Sequence, residues 1–330
     1  MNTPANKIIS WGIIGCGNVT EIKSGPGFNK VNNSRLVAVM RRDAEKAADY
    51  AKRHNVPKWY SNADELINDT EINAVYIATP PKFHEQYAIQ ALQAGKYVYV
   101  EKPVTINTAS CKRMIDCTIA EKGKVSVAHY RRALPMFLAI KKMIEENKIG
   151  NIKLIQLNML QPHQSGIIAN SENFWRIDPS IAGGGLFFDL APHQLDILTF
   201  IFGNYIYCSG KAFNQAKLYE AEDTVVGYIQ FPGDIIFTGN WNFTMAEHIK
   251  EDQCRIIGET GSLSFPFFGN QVDLINNEGK QHFTFEHPAN IQQPMINKVV
   301  NYFLGNEPNP CSLEEALVSL EIMEDFRNGI

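Results

Sequence analysis

Two groups of residues in this chain have the types and spacing for proton and charge chemistry. The first is Glu101-Lys102-Pro103, which follows the short run Tyr97 to Val100. That β-branched and aromatic run reads as a strand, and the proline ends it because it cannot donate to a sheet ladder. In an open parallel sheet, ligands gather beyond the carboxyl ends of the strands. Lys102 is therefore a candidate cation for charge developing on a substrate oxygen, with Glu101 beside it. A solvated Glu-Lys pair on a loop fits this segment equally well. An X-Pro bond adopts cis at modest cost, so Lys102–Pro103 is also a candidate cis turn that would aim Lys102 into the crevice.

The second group is Asp189, His193 and Asp196, whose spacing puts all three on one face of a helix. A histidine beside carboxylates can move protons while they set its tautomer. His193 is the candidate general acid/base, and Asp189 the group that orients it or the substrate. Pro192 must fall in the first turn of that helix or kink it. The alternative is a buried, satisfied histidine beside a capping aspartate.

The elements that must carry these groups follow from pattern. Ile8 to Ile14 is a strand running into Gly15-Cys16-Gly17-Asn18-Val19-Thr20. A Gly-x-Gly turn between strand and helix lets a pyrophosphate reach backbone N–H groups. Thr20 stands where a third Gly or Ala would complete the fingerprint. Lys23-Ser24-Gly25-Pro26-Gly27 then cuts the first helix short. A second strand, Leu36 to Met40, ends in Arg41-Arg42-Asp43, the position that reads the adenosine ribose. Two guanidiniums there favour a 2′-phosphate, hence NADP, while Asp43 keeps NAD open. A charged helix start is the plainer account of the same residues.

A third strand, Ala74 to Ala78, ends in Thr79-Pro80-Pro81-Lys82-Phe83-His84. A helix then runs to Gly95, a C-cap glycine, directly before the strand to Lys102. Helices over Lys112 to Glu121 and Leu134 to Glu146 flank a strand at Lys124 to Ala128. Strand–helix alternation at this spacing predicts a doubly wound parallel sheet. From Asn151 the texture changes. Strand-like runs at 152–160, 205–212, 223–231, 235–243, 254–258 and 271–276 have few helices between them, which predicts a large, open, mostly antiparallel sheet. Ser312 to Phe326 reads as a closing helix with an N-cap serine and Glu314 and Glu315 at its positive end. The fold class is therefore α/β, a Rossmann domain over 1–128 followed by an α+β domain over 129–330.

Composition narrows the partners. A chain of 330 residues with 45% hydrophobic and 20% charged content suits two cored domains. The net charge of -4 leaves no basic footprint for nucleic acid or an anionic membrane. No apolar run reaches a membrane span, and Met1 to Lys7 lack the apolar core of a signal peptide. The six scattered cysteines read as reduced thiols of a cytoplasmic protein, with no metal-ligand set.

Several of these signals occur together and in order: G-I-I-G-C-G-N, A-V-Y-I-A-T-P-P-K-F-H, and A-G-K-Y-V-Y-V-E-K-P. His129-Tyr130-Arg131-Arg132 and then Gly183-Gly184-Gly185-Leu-Phe-Phe-Asp189-Leu-Ala-Pro-His193-Gln-Leu-Asp196 follow. Together they resemble the Gfo/Idh/MocA family, the glucose–fructose oxidoreductase and inositol dehydrogenase group, over nearly the whole chain. The resemblance implies an NAD(P)-dependent dehydrogenase or reductase acting on a CH–OH group of a sugar or polyol. It implies cofactor contacts at Gly15, Gly17, Asn18, Val19, Arg41, Arg42, Thr79, Pro80, His84, Glu101 and Lys102. Trp175 and Arg176 are carried over from sugar reductases as a pair against the cofactor, and Tyr130 and Arg132 as substrate residues. It also implies a homodimer or homotetramer through the second domain's sheet. Two other readings stay open: an NAD-dependent glycosidase that oxidises its substrate transiently, and a non-catalytic NAD(P) sensor.

Overall fold

The computed structural model describes residues 8–167 and 172–329. Residues 1–7, read above for targeting, lie outside the described residues. The chain forms two compact units: one takes the chain up to Tyr130 together with Pro288–Leu317, the other Arg131–His287 with Val318–Ile330.

The first unit alternates strand and helix: β1 (Ile9–Ile14), α1 (Asn18–Ile22), β2 (Ser34–Met40), α2 (Ala44–Arg53), β3 (Lys58–Tyr60), α3 (Ala63–Asn68), β4 (Ala74–Ile77), α4 (His84–Gln93), β5 (Tyr97–Val100), α5 (Thr108–Ala120) and β6 (Val125–Val127). The six strands are parallel in the order β3-β2-β1-β4-β5-β6. The order reverses between β1 and β4, the point at which an open α/β sheet leaves a crevice at its carboxyl edge. β1 and β4 are buried at every position, as strands covered on both faces must be. Inside, Trp11, Phe28, Tyr76 and Tyr99 form a chain of ring contacts 4.8 to 6.3 Å apart. As the sequence predicts, α1 is short, and a 3-10 turn (Gly25–Asn29) follows it.

The second unit begins with α6 (Pro135–Glu145), β7 (Ile152–Leu160), α7 (Pro179–Ala182) and α8 (Leu186–Phe202). Strands β8 (Tyr207–Phe213), β9 (Thr224–Phe231), β10 (Ile235–Asn242), β11 (Glu251–Gly258), β12 (Ser262–Phe265), β13 (Gln271–Asn276) and β14 (Gly279–Thr284) follow. They make an eight-stranded sheet in the order β14-β13-β12-β11-β7-β10-β9-β8. Only the β7–β10 pairing is parallel. Its inner face carries Ile155, Leu157, Val225, Ile229, Phe237, Trp241 and Ile256, all buried. α8 is tied to that face by Trp241 Nε1, which donates to Gln194 Oε1 at 2.8 Å, and by the Phe187–Trp241 contact. Pro192 sits inside α8, past its first turn. On the outer face Tyr207, Val226, Tyr228, Ile236 and Ile275 stay exposed.

The chain then returns to the first unit through α9 (Gln293–Leu304), whose Phe303 ring meets Trp11 at 5.7 Å. The last helix, α10 (Leu313–Asn328), opens on a capping box. Ser312 Oγ accepts from Glu315 N–H at 3.2 Å, and Glu315 Oε2 accepts from Ser312 N–H at 2.8 Å. Among the described residues no helix is long and apolar enough to cross a membrane.

Candidate functional site

In the first unit the site is built from the carboxyl ends of β1, β4 and β5. Gly15 has φ +95°, and a Cβ there would lie 2.9 Å from the Ala78 carbonyl, so only glycine fits the bend. Gly17 is glycine for a different reason. A Cβ on it would meet nothing closer than Gly15 O at 4.0 Å. Its bare backbone relieves no internal contact and leaves room above the start of α1, the room a pyrophosphate needs. Asn18 and Val19 are the next two residues, in the first turn of that helix. Thr20 closes on the turn, its hydroxyl donating to Gly17 O at 2.8 Å. Burial pushes the Cys16 thiol up to about 12, so it is a neutral packing group.

The two arginines after β2 differ in their surroundings. Arg41 Nη1 reaches back to Cys16 O at 3.4 Å, across the glycine turn. Arg42 is exposed, with its guanidinium 5.5 Å from the centre of the Phe83 ring, within cation–π range. Asp43 caps α2, its carboxylate accepting from Lys46 N–H at 3.1 Å.

At the end of β4, the Thr79 hydroxyl oxygen is buried with no hydrogen-bond partner among the described residues. Buried hydroxyls are rarely left so, and Thr79 lies against Gly15, its methyl 2.9 Å from where a Cβ there would stand. Pro80 leads into the 3-10 turn Pro81–Phe83. His84 is fully buried, with Nε2 2.8 Å from Thr79 O and Nδ1 3.1 and 3.2 Å from Pro103 O and Val104 O. Burial lowers its pKa. Its ring joins the turn after β4 to the turn after β5.

Glu101 is buried, and its carboxylate accepts three hydrogen bonds. The Tyr76 hydroxyl donates to Oε1 at 2.5 Å, Gln292 Nε2 to Oε1 at 2.7 Å, and the Lys102 N–H to Oε2 at 3.1 Å. Burial, with the Glu101 charge beside it, keeps the Tyr76 hydroxyl protonated well above its ordinary pKa, so it acts as a donor. The Lys102–Pro103 bond is cis. Glu101 thus anchors the backbone from which Lys102 projects. Neither Tyr76 nor Gln292 is evident as a site residue in the sequence. The available signal is a tyrosine inside a fully buried strand, whose hydroxyl needs a partner.

In the second unit the groups hang on α8. Arg176 Nε donates to Asp189 Oδ2 at 3.1 Å, and its guanidinium lies 4.3 Å over the Trp175 ring. Trp175, Arg176 and Asp189 therefore form one stack. Asp196 is 1% exposed and Arg132 4%, and they form a bidentate pair through Arg132 Nε and Nη2 at 2.8 to 3.0 Å. That geometry makes Arg132 an anchor for α8. His193, one turn before Asp196, is buried, and its ring meets Phe268 edge-on at 5.8 Å. Tyr130, at the end of the first unit, is buried as well. Among the described residues no group of three or more His, Cys, Asp or Glu is placed to hold a metal ion.

Residues 9–129 match the family described as oxidoreductase family, NAD-binding Rossmann fold, and residues 137–264 match the GFO/IDH/MocA C-terminal domain. Oxidoreductase P35 of Formosa agariphila is 44% identical over 318 residues, 96% of this chain and 98% of that protein. The 1,5-anhydro-D-fructose reductase of Ensifer adhaerens is 26% identical over 320 residues, 94% of this chain and 92% of that protein. The crystal structure of aldose-aldose oxidoreductase from Caulobacter crescentus superimposes with a TM-score of 0.84 at 19% identity, covering 96% of each chain. At that identity the likeness is one of fold.

Proposed function

We propose that this chain, which belongs to the GFO/IDH/MocA family of NAD-binding oxidoreductases, transfers a hydride reversibly between a nicotinamide and a CH–OH carbon of a sugar or polyol. The observation that carries this reading is the set of groups gathered at the ends of β1, β4 and β5. Gly17 leaves open space, the buried Thr79 hydroxyl lacks a partner among the described residues, and Lys102 springs from a turn fixed by Glu101. The sugar-directed names of the Ensifer and Caulobacter relatives support the substrate class.

A bound nicotinamide supplies the centre that takes or gives the hydride. The chain's residues do the rest. The backbone at Gly15, Gly17, Asn18 and Val19 holds the pyrophosphate, with Thr79 and Pro80 lining the same side. Arg41 and Arg42 receive a 2′-phosphate, and the capping role of Asp43 favours NADP over NAD. Lys102 steadies negative charge on the substrate oxygen as the alcohol proton leaves, and His193 takes that proton. Asp189, steadied by Arg176, orients the substrate, and we assign Trp175 to the cofactor and Tyr130 to the substrate. His84 and Glu101 support the cofactor side by holding its turns. The exposed apolar outer face of the sheet is the surface we assign to a homodimer or homotetramer. Six free cysteines favour a cytoplasmic setting.

The test is a panel of sugars and polyols offered with NAD+ and NADP+ and followed at the nicotinamide absorbance. Reduction of NADP+ by at least one panel member is the expected result. Glycoside cleavage without net NADPH would replace this reading with transient oxidation, and cofactor binding without any turnover would replace it with a sensor.

A further inference from the structure

We propose that Phe268 is a positioning residue for His193, its ring fixing the plane of the imidazole that takes the substrate proton; the proposal rests on the acid/base reading given above. A helix backbone does not fix a histidine ring by itself, because the terminal torsion of its side chain is broad. A neighbouring group must select the plane. Phe268 is so placed, with ring centres 5.8 Å apart and an interplanar angle of 80°, an edge-to-face arrangement that aromatic pairs prefer.

The turn that carries Phe268 is unusually well tied. It follows β12, and its two phenylalanines have different surroundings. Phe267 is fully buried between Phe265 and Phe137, at 5.4 and 5.5 Å. Phe268 is only half-buried. The two carboxylate oxygens of Asp252 accept from Phe267 N–H at 2.9 Å and Phe268 N–H at 2.7 Å. Arg131 Nη1 donates to Phe267 O at 2.6 Å, and its guanidinium sits 4.3 Å over the Phe268 ring. Three charge-assisted hydrogen bonds and a stacked cation thus fix one short turn. A ring that merely filled space would not need its backbone held from both sides, and Phe267 already supplies the core contact.

The test uses the full chain, with Phe268→Leu to keep apolar bulk without the ring and Phe268→Tyr to keep the ring. Each is made alone and with His193→Ala. Kinetics use NADP+ and the panel sugar that the wild type oxidises fastest. In parallel, histidine labelled with 13C at Cε1 gives an NMR signal for His193, identified by its loss in His193→Ala. Phe268→Leu should lower kcat by about 10- to 100-fold, as a small misplacement of a reacting group does. KM for sugar and cofactor should hold, the His193 signal should move, and Phe268→Tyr should restore both. In the His193→Ala background Phe268→Leu should cost nothing further. A full additional loss in that background, a raised sugar KM with kcat kept, or an unmoved His193 signal would overturn the proposal. Normal turnover in His193→Ala alone would overturn the acid/base reading instead. The two failures are distinguishable because the NMR signal reports the Phe268 contact whether or not turnover depends on it.

Discussion

At the end of β5, Lys102 is placed mainly by backbone: strand register, a proline immediately after, and its own N–H held by Glu101, whose carboxylate is in turn fixed by Tyr76 and Gln292. On α8 the equivalent groups are each placed by side chains from other elements. Arg176 holds Asp189, Arg132 holds Asp196, and the turn at Phe268 meets His193. The first arrangement leaves room for a ligand at Gly17 and a waiting hydroxyl at Thr79. The second fills its space with ion pairs and rings. One unit holds groups around an opening, and the other holds a helix still. Substitutions in the first should therefore read out in binding and turnover, and those in the second in stability as well.

The largest expected effect is on turnover. Lys102→Ala and His193→Ala should each lower kcat by roughly 10² to 10⁴, the range for losing a group that handles charge or a proton in the transition state. Cofactor affinity, measured by NADPH fluorescence, should change little in either. A near-normal kcat in one of them would remove that residue from the chemistry.

Next is Arg132→Ala. It leaves the buried Asp196 carboxyl without its guanidinium partner, and breaking such a buried pair costs about 3–5 kcal/mol. Urea unfolding should show this as a lower midpoint. A change within error would mean that α8 does not rely on the pair, and the contrast between the two units would weaken.

Arg42→Ala should weaken NADP(H) by about 2 kcal/mol, near 30-fold, through loss of a charge-assisted phosphate contact. NAD(H) should be nearly unaffected. Equal losses for the two cofactors would reassign Arg42 to the adenine or to the surface.

The smallest effect concerns pH. Hydrogen bonds from Arg53 first, then His54, lower the Glu21 pKa from 4.5 to about 2. A carboxylate with a depressed folded pKa adds stability above its unfolded value and loses it as pH falls through the folded one. Glu21→Gln should therefore melt below the wild type at pH 7, with the gap closing between pH 4.5 and 2. The pair is partly exposed, so the gap should be small and salt-sensitive. A gap unchanged at low pH would assign it to packing.

What the sequence disclosed follows the same division. The alternation through β6, the Gly15 bend, the Lys102–Pro103 turn and the reach of β7 and β13 are local patterns, and they were legible. β3, with three residues, is too short to show a period, and β14 (Gly279–Thr284) is polar and mostly exposed. The return of α9 to Trp11 depends on packing across the length of the chain. The same holds within the site. His193 and its carboxylates announce themselves by helical spacing, but Gln292 lies 191 positions from Glu101, and nothing local marks it. Arg132 reads as a substrate residue, and nothing local marks its partner Asp196, 64 positions on. Pro192 is tolerated deeper in α8 than expected, in a helix anchored by long-range contacts.

The central proposal is that Lys102 and His193 act in the same chemical step. The most direct measurement is the kcat of Lys102→Ala, His193→Ala and the double variant on one sugar with saturating NADP+. Groups that act as a unit are strongly non-additive, so the double variant should fall no more than a few-fold below the slower single variant. A double variant that loses the full product of the two single losses would contradict the account.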